Sequence, residues 1–171
     1  MSNQKMMHSY CLNTIFGPMK ACYVNDQLTH LSFINVDIGE ASVSDNTPLA
    51  QWLIQYAQHH PNTYNEPLNL CGTPFQLSVW AALQKIPYGE TRSYTEIAKT
   101  IGRAHAVRAV AQACKQNPIA LIVPCHRVIA KNGQLGGYAG QLNHPLKAAL
   151  LQHEQLAKPS HLNQTKPNER P

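Results

Sequence analysis

The chain has 171 residues, 43% of them hydrophobic and 13% charged, enough for a sizeable core in one domain or two small ones. It holds no run near the roughly 18 apolar residues of a membrane span and opens with no signal peptide, so a soluble, cytoplasmic protein with no membrane partner is expected. The five cysteines are odd in number and include no Cys-x-x-Cys pair, which argues against a disulfide framework and a close-spaced zinc site and fits a reducing compartment.

The net charge of +5 is unevenly placed. Residues 1–70 hold two basic side chains (Lys5, Lys20) against five acidic ones (Asp26, Asp37, Glu40, Asp45, Glu66), a balance of −3. Residues 71–171 hold twelve basic against four acidic, a balance of +8. A basic half points to a polyanion, most simply nucleic acid; the other reading is an incidental solvated surface.

Tyr10 to Thr14, Met19 to Val24 and Leu28 to Phe33 alternate as short strands, with turns at Phe16-Gly17-Pro18 and Asn25-Asp26, so an antiparallel meander is expected. Thr47 then caps a helix with Pro48 at its first position, Leu49, Trp52, Leu53 and Tyr56 on one face, and Pro61 at its end. His59 and His60 read as solvated residues rather than metal ligands, because adjacent helical side chains diverge. Cys11, Cys22 and His30 lack a fourth ligand at a natural spacing, so no metal is assigned. Asn62 to Asn69 reads as a linker between an N-terminal unit, residues 1–70, and a second unit, residues 71–158.

The second unit opens on a helix capped by Thr73, with Pro74 first and Phe75, Val79, Trp80 and Leu83 apolar; Pro87-Tyr88-Gly89 breaks it. Ser93-Tyr94-Thr95-Glu96 is a capping box that starts a helix through Ile97, Ala98 and Ile101, stopped by Gly102. A further helix is expected from Ala104 to Gln116. Two short helices across a glycine turn suit a helix-turn-helix, with a winged-helix-like unit as the whole; a plain helical hairpin has the same pattern. The second helix is mostly alanine, with Arg108 projecting and Gln112 and Lys115 near the same face. A thin helix suits a narrow groove, into which one long arginine can wedge; otherwise its alanines pack on the core and Arg108 is a surface charge.

The apolar run Ile119 to Val123 reads as a buried strand or loop delivering Pro124-Cys125-His126-Arg127-Val128 to a backbone turn. A thiol beside an imidazole and a guanidinium is expected to be ionised more readily than a free one; the bland alternative is a core cysteine. Val128 and Ile129 resume a strand, Lys131-Asn132-Gly133 turns, and Gly136-Gly137-Tyr138-Ala139-Gly140 reads as a flexible loop with room for groups larger than methyl. Pro145 starts a last helix with Leu146, Leu150 and Leu151 apolar, ending near His153-Glu154. Pro159 to Pro171 reads as a disordered tail. The fold class expected is therefore α+β, a small α/β unit with an antiparallel sheet followed by a mainly helical one.

Pro124-Cys125-His126-Arg127-Val128, with Asn117-Pro118 upstream and His153-Glu154 downstream, resembles the O6-alkylguanine-DNA alkyltransferases, also called methylated-DNA–protein-cysteine methyltransferases. Gly72-Thr73-Pro74-Phe75-Gln76, Val79-Trp80, Gly89-Glu90, Ser93-Tyr94 and Arg108-Ala109-Val110 extend the likeness from about Gly72 to Glu154. The resemblance implies a monomer that binds the minor groove of double-stranded DNA and flips out a guanine alkylated on O6, or a thymine on O4. It then accepts the alkyl group once and irreversibly, with no cofactor. It implies Cys125 as acceptor, His126 taking its proton through a water, and Glu154 orienting His126. It implies Arg108 as the finger that fills the stack, with Ala109, Gln112 and Lys115 facing DNA. Tyr94 would press the rotated phosphate and protonate the leaving base, and Asn117 would brace the turn. The backbone of Cys125 and Val128, Tyr138, Ala139 and Gly140 would hold the base. Ala139 replaces a serine of some relatives, so only its amide could reach O6; Val24 and Thr29 stand where others carry zinc ligands. Two rival functions remain at this stage, a lesion-binding protein without chemistry and a Cys125–His126–Glu154 thiol hydrolase.

Overall fold

Apolar alternation sends Leu12, Met19, Ala21, Leu28 and Leu31 to one buried face of a three-stranded antiparallel sheet, β1 (Met7–Thr14), β2 (Gly17–Val24) and β3 (Gln27–Phe33), ordered β1-β2-β3. This is a computed structural model, and it describes residues 6–39, 46–60, 63–138, 141–142 and 144–156. The expected tail, and the expected base contacts Ala139 and Gly140, lie outside the described residues. Asn25 and Asp26 take left-handed φ values of 48° and 59°, the two-residue turn that fits the twist of a hairpin. Register sets Cys22 opposite His30 but Cys11 opposite Lys20. Among the described residues no group of three or more His, Cys, Asp or Glu could hold a metal ion.

Helix α1 (Pro48–Ala57) starts as expected: Thr47 Oγ1 accepts from the Ala50 amide at 3.2 Å, and Leu49, Trp52, Leu53 and Tyr56 are buried. Its end differs. The chain leaves the helix through His59 in the left-handed region, φ 63°, with the His60 amide donating back to the Gln55 carbonyl at 2.9 Å. Nor is His59 solvated. Its ring stacks on His153 with centroids 4.0 Å apart, a contact made by a helix nearly a hundred residues downstream that no local pattern can announce.

Helix α2 (Pro74–Leu83) carries a full capping box: the Gln76 amide donates to Thr73 Oγ1, and Gln76 Oε1 accepts from the Thr73 amide. A Cβ on Gly72 would lie 2.7 Å from the Trp80 ring, so only glycine lets the chain pass that indole. Trp80 Nε1 in turn donates to the Ala113 carbonyl at 2.9 Å, fastening α2 to α4 (Val107–Lys115). The strand pair β4 (Arg92–Ser93) and β5 (Val128–Ile129) is parallel and two residues long. It ties the start of α3 (Tyr94–Thr100), capped by the Ser93–Glu96 box, to the strand that follows Cys125. Helix α4 begins three residues later than expected. Ala106 at its cap offers no side-chain acceptor, so Ala104 to Ala106 stay in a turn.

The Ile119 to Val123 run is a buried loop with one bridge rather than a strand: Leu31 pairs with Ile119, and Leu28 with Leu68, along the free edge of β3. Through these contacts the sheet, the helices and the loop share one buried core. Gly137 and Tyr138 are not a free loop; they form β6 (Gly137–Tyr138), paired with β7 (Gln141–Leu142). Helix α5 (Pro145–Leu156) closes the described chain and packs on the turn that holds Cys125. No helix among the described residues is long and apolar enough to cross a membrane.

Candidate active site

Cys125 begins a single 3-10 turn, Cys125–Arg127, set up by a strained approach. Leu121, 2% exposed, holds φ at 68°, a conformation that costs a non-glycine residue roughly 1–2 kcal/mol. The Ile122 amide on the Ala120 carbonyl and the Val123 amide on the Ile119 carbonyl hold that bend. Asn117 completes it: Nδ2 donates to the Val123 carbonyl at 2.7 Å and to Cys125 Sγ at 3.2 Å, while Oδ1 accepts from the Ile119 amide at 3.1 Å. One side chain thus joins the end of α4, the buried loop and the thiol.

His126 and Glu154 are both fully buried, and His126 Nε2 lies 2.8 Å from Glu154 Oε1. Arg127 approaches the same carboxylate as a fork, Nε 2.9 Å from Oε2 and Nη2 2.9 Å from Oε1, and its Nη1 donates to the Ile86 carbonyl at 2.7 Å. The Gly89 amide donates to Oε2 at 3.0 Å and the Tyr56 hydroxyl to Oε1 at 2.8 Å. Burial pushes the Glu154 carboxyl up, but His126 and Arg127 outweigh it and hold it well below the usual carboxylate range. An ionised carboxylate only accepts, so Nε2 of His126 carries the ring hydrogen and Nδ1 presents a lone pair. No protein group among the described residues hydrogen-bonds Nδ1.

The expectation of a readily ionised thiol is overturned for the resting protein. Burial raises the Cys125 thiol, with Asn117, Lys147 and the backbone amides of Cys125 and His126 only partly opposing it. Burial lowers His126 too, against the pull of Glu154, so the imidazole is neutral. Arg127 is spent on Glu154. The cation that does bear on Cys125 is Lys147, which sequence reasoning missed. It is fully buried, donating to the Val128 carbonyl at 2.6 Å and the Gly137 carbonyl at 3.3 Å, and burial pushes it down to about 8. A signal existed: Lys147, Leu150, Leu151 and Glu154 share one face of α5, placing two charges on its apolar stripe. Tyr56 and the Gly89 amide left no such signal, since only the tertiary fold brings them to Glu154.

The remaining expected residues divide by exposure. Arg108, Ala109, Gln112 and Lys115 are all exposed on α4, while Val110, Ala113 and Cys114 turn inward. Tyr94, half-buried at the start of α3, has the Lys147 ammonium 5.8 Å from its ring centroid, and burial pushes its hydroxyl up to about 12. Val128 is fully buried, and its carbonyl already accepts from Lys147; a second lone pair remains. Tyr138 is buried, its ring edge-on to His144 at 6.0 Å and its hydroxyl without a hydrogen-bond partner among the described residues.

Comparison with known proteins places this arrangement in context. Residues 74–156 match the family described as 6-O-methylguanine DNA methyltransferase, DNA binding domain. The methylated-DNA–protein-cysteine methyltransferase of Mycobacterium leprae is 41% identical over 157 residues, which span 88% of this chain and 95% of the relative. A crystal structure of Mycobacterium tuberculosis O6-methylguanine methyltransferase superposes with a TM-score of 0.78 at 39% identity, covering 92% of this chain and 98% of that one. A Mycobacterium tuberculosis OGT structure in complex with DNA gives a TM-score of 0.77 at 39% identity, covering 90% and 96%.

Proposed function

The chain belongs to the methylated-DNA–protein-cysteine methyltransferases, and we propose from that premise that it repairs DNA directly by moving the alkyl group of O6-alkylguanine, or O4-alkylthymine, to Cys125. The observation that carries the reading is the polarity of His126. With Nε2 held on Glu154 Oε1, its other nitrogen is a free base on the residue that follows Cys125, whose thiol Asn117 grips.

The resting thiol and imidazole are both neutral, so ionisation belongs to the loaded site. The Cys125 proton passes to His126 Nδ1 through a water, and the imidazolium is stabilised by Glu154. The thiolate, supported by Asn117 and by Lys147 nearby, attacks the alkyl carbon. The carbon–O6 bond breaks as the carbon–sulfur bond forms, and the base leaves with the electron pair, its negative charge quenched by a proton from Tyr94. Atoms and charges balance without a cofactor. A thioether has no good leaving group, so each molecule acts once.

Residues 71–158 form the DNA-binding and acceptor unit, and residues 1–70 the smaller unit packed on it. Exposure of Arg108, Ala109, Gln112 and Lys115 on one side of α4 supports a helix-turn-helix made of α3 and α4, entering the minor groove of duplex DNA. Arg108 fills the stack from which the base has turned out. Tyr94 bears on the rotated phosphate, and the Cys125 and Val128 backbone with Tyr138 receives the base. The family likeness adds Ala139 and Gly140 as contacts to the base. In this reading the protein acts as a monomer. Cys11, Cys22, Cys71, Cys114 and Cys125 are all free thiols, which supports a place in the reducing cytoplasm.

The test is mass spectrometry after mixing with excess duplex carrying O6-methylguanine. One methyl on Cys125 is expected, none in Cys125→Ser, and a slower gain in Glu154→Gln with DNA binding retained. Binding without methyl gain would identify a lesion-binding protein, and ester hydrolysis with indifference to the DNA would identify a hydrolase.

A further inference from the structure

Glu154 Oε1 is a shared atom. His126 Nε2 and Arg127 Nη2 reach it from the turn that holds Cys125, at 2.8 and 2.9 Å. Arg127 Nε also reaches it at 3.2 Å, and the remaining donor, the Tyr56 hydroxyl at 2.8 Å, comes from α1, 98 residues away in sequence and in the other unit. Tyr56 is only 3% exposed and firmly held. Its ring stacks on Trp52 at 5.4 Å and meets the edges of Tyr88 and Phe16 at 5.5 and 6.1 Å. Its carbonyl accepts from His153 Nε2 at 2.8 Å, a second link to α5 one residue before Glu154.

The Arg127 fork already fixes the plane of the carboxylate, so orientation does not require a phenol. What a hydroxyl on Oε1 changes is electron density. Each donor on that oxygen weakens its pull on the Nε2 hydrogen of His126, and the basicity of Nδ1 across the ring follows that pull. We propose that Tyr56 is a positioning residue of the alkyl-transfer site, its hydroxyl sharing Glu154 Oε1 with His126 and so setting how readily His126 takes the Cys125 proton. The inference rests on the reading of Cys125, His126 and Glu154 as the transfer machinery, and it gives the N-terminal unit a part in the chemistry. The other titratable groups facing this cluster are Arg127 from the turn, Lys147 and His153 from α5, and Tyr88 from the segment before β4.

Tyr56→Phe keeps the ring and its packing while removing the donor. Imidazole must be neutral to accept a proton, so transfer falls away on the acid side. Without the hydroxyl, Glu154 draws harder on His126 and the acid limb of the rate-against-pH curve should move to higher pH by roughly half a unit or more, with duplex binding unchanged. 3-Fluorotyrosine at position 56, a more acidic and stronger donor, should move the limb the opposite way, and it leaves the fold intact if the phenylalanine variant does not. Both curves overlaying the wild type, while wild-type Cys125 gains its methyl, overturns the role of Tyr56 alone. Wild-type Cys125 remaining unmethylated overturns the underlying assignment and the role of Tyr56 with it.

Discussion

Arg127 meets Glu154 as a fork, with Nε 2.9 Å from Oε2 and Nη2 2.9 Å from Oε1, inside a core where the carboxylate has no exposure. The guanidinium two residues after Cys125 is therefore turned toward the last helix. It compensates the charge that keeps His126 in its working tautomer.

Arg127→Met is expected to leave that carboxylate underpaired and to destabilise the protein by about 3–5 kcal/mol near neutral pH. The sign with pH follows. Glu154 is held below its ordinary value of about 4.5 in the folded protein, so its favourable share is full above that value and is lost as pH falls below it. The gap between wild type and variant should shrink on acidification. Urea unfolding near pH 7 and near pH 4 reads it; a gap independent of pH contradicts the pairing.

Asn117→Leu keeps the volume but removes the donor to the Val123 carbonyl and to Cys125 Sγ. The Val123 carbonyl keeps the Cys125 amide, but the buried Ile119 amide loses its acceptor, Asn117 Oδ1, at a cost of about 1–3 kcal/mol that denaturant unfolding should show. Because Asn117 opposes the burial that raises the thiol, alkylation of Cys125 by iodoacetamide should also require higher pH in the variant. An unchanged thiol titration would reduce Asn117 to a structural brace.

Arg108→Ala should bind undamaged duplex within roughly threefold of wild type, since several cations of the basic half share the phosphate contacts. Repair should slow much more, because nothing then fills the gap left by the turned-out base. A fluorescent base analogue beside the lesion reports that step directly. Full flipping amplitude in the variant would remove Arg108 from the role.

Lys147→Met tests the buried ammonium. Its value in the folded protein is pushed down to about 8 from 10.5, so between those values the unfolded chain binds more protons and this group makes stability rise with pH. The Cys114 thiol, raised to about 12 from 9.0, works the other way, because the unfolded chain releases its proton first. The wild-type minus variant difference isolates the lysine. It should move in favour of wild type as pH rises from about 8 toward 10, measured by urea unfolding. A flat difference would mean that Lys147 is neutral or solvated throughout.

Local order was legible because local physics controls it. Thr47, Thr73 and Ser93 name their helices by hydrogen-bonding free amides within three residues, and Asn25-Asp26 names its hairpin by tolerating positive φ. Cys125, His126 and Glu154 stand out as types that combine in nucleophilic catalysis, and the structure sets Glu154 against His126, the residue after Cys125. Ala106 offers no side-chain cap, and α4 starts three residues after the expected Ala104. The tertiary structure decided the rest, because burial and long-range pairing depend on what the fold lays alongside. It closed solvent off from Cys125 and so reversed the expected ionisation of its thiol. It committed Arg127 to Glu154 rather than to its sequence neighbour, stacked His59 on His153, and buried Lys147 against two carbonyls. It also carried Tyr56 across 98 residues to the oxygen that His126 uses.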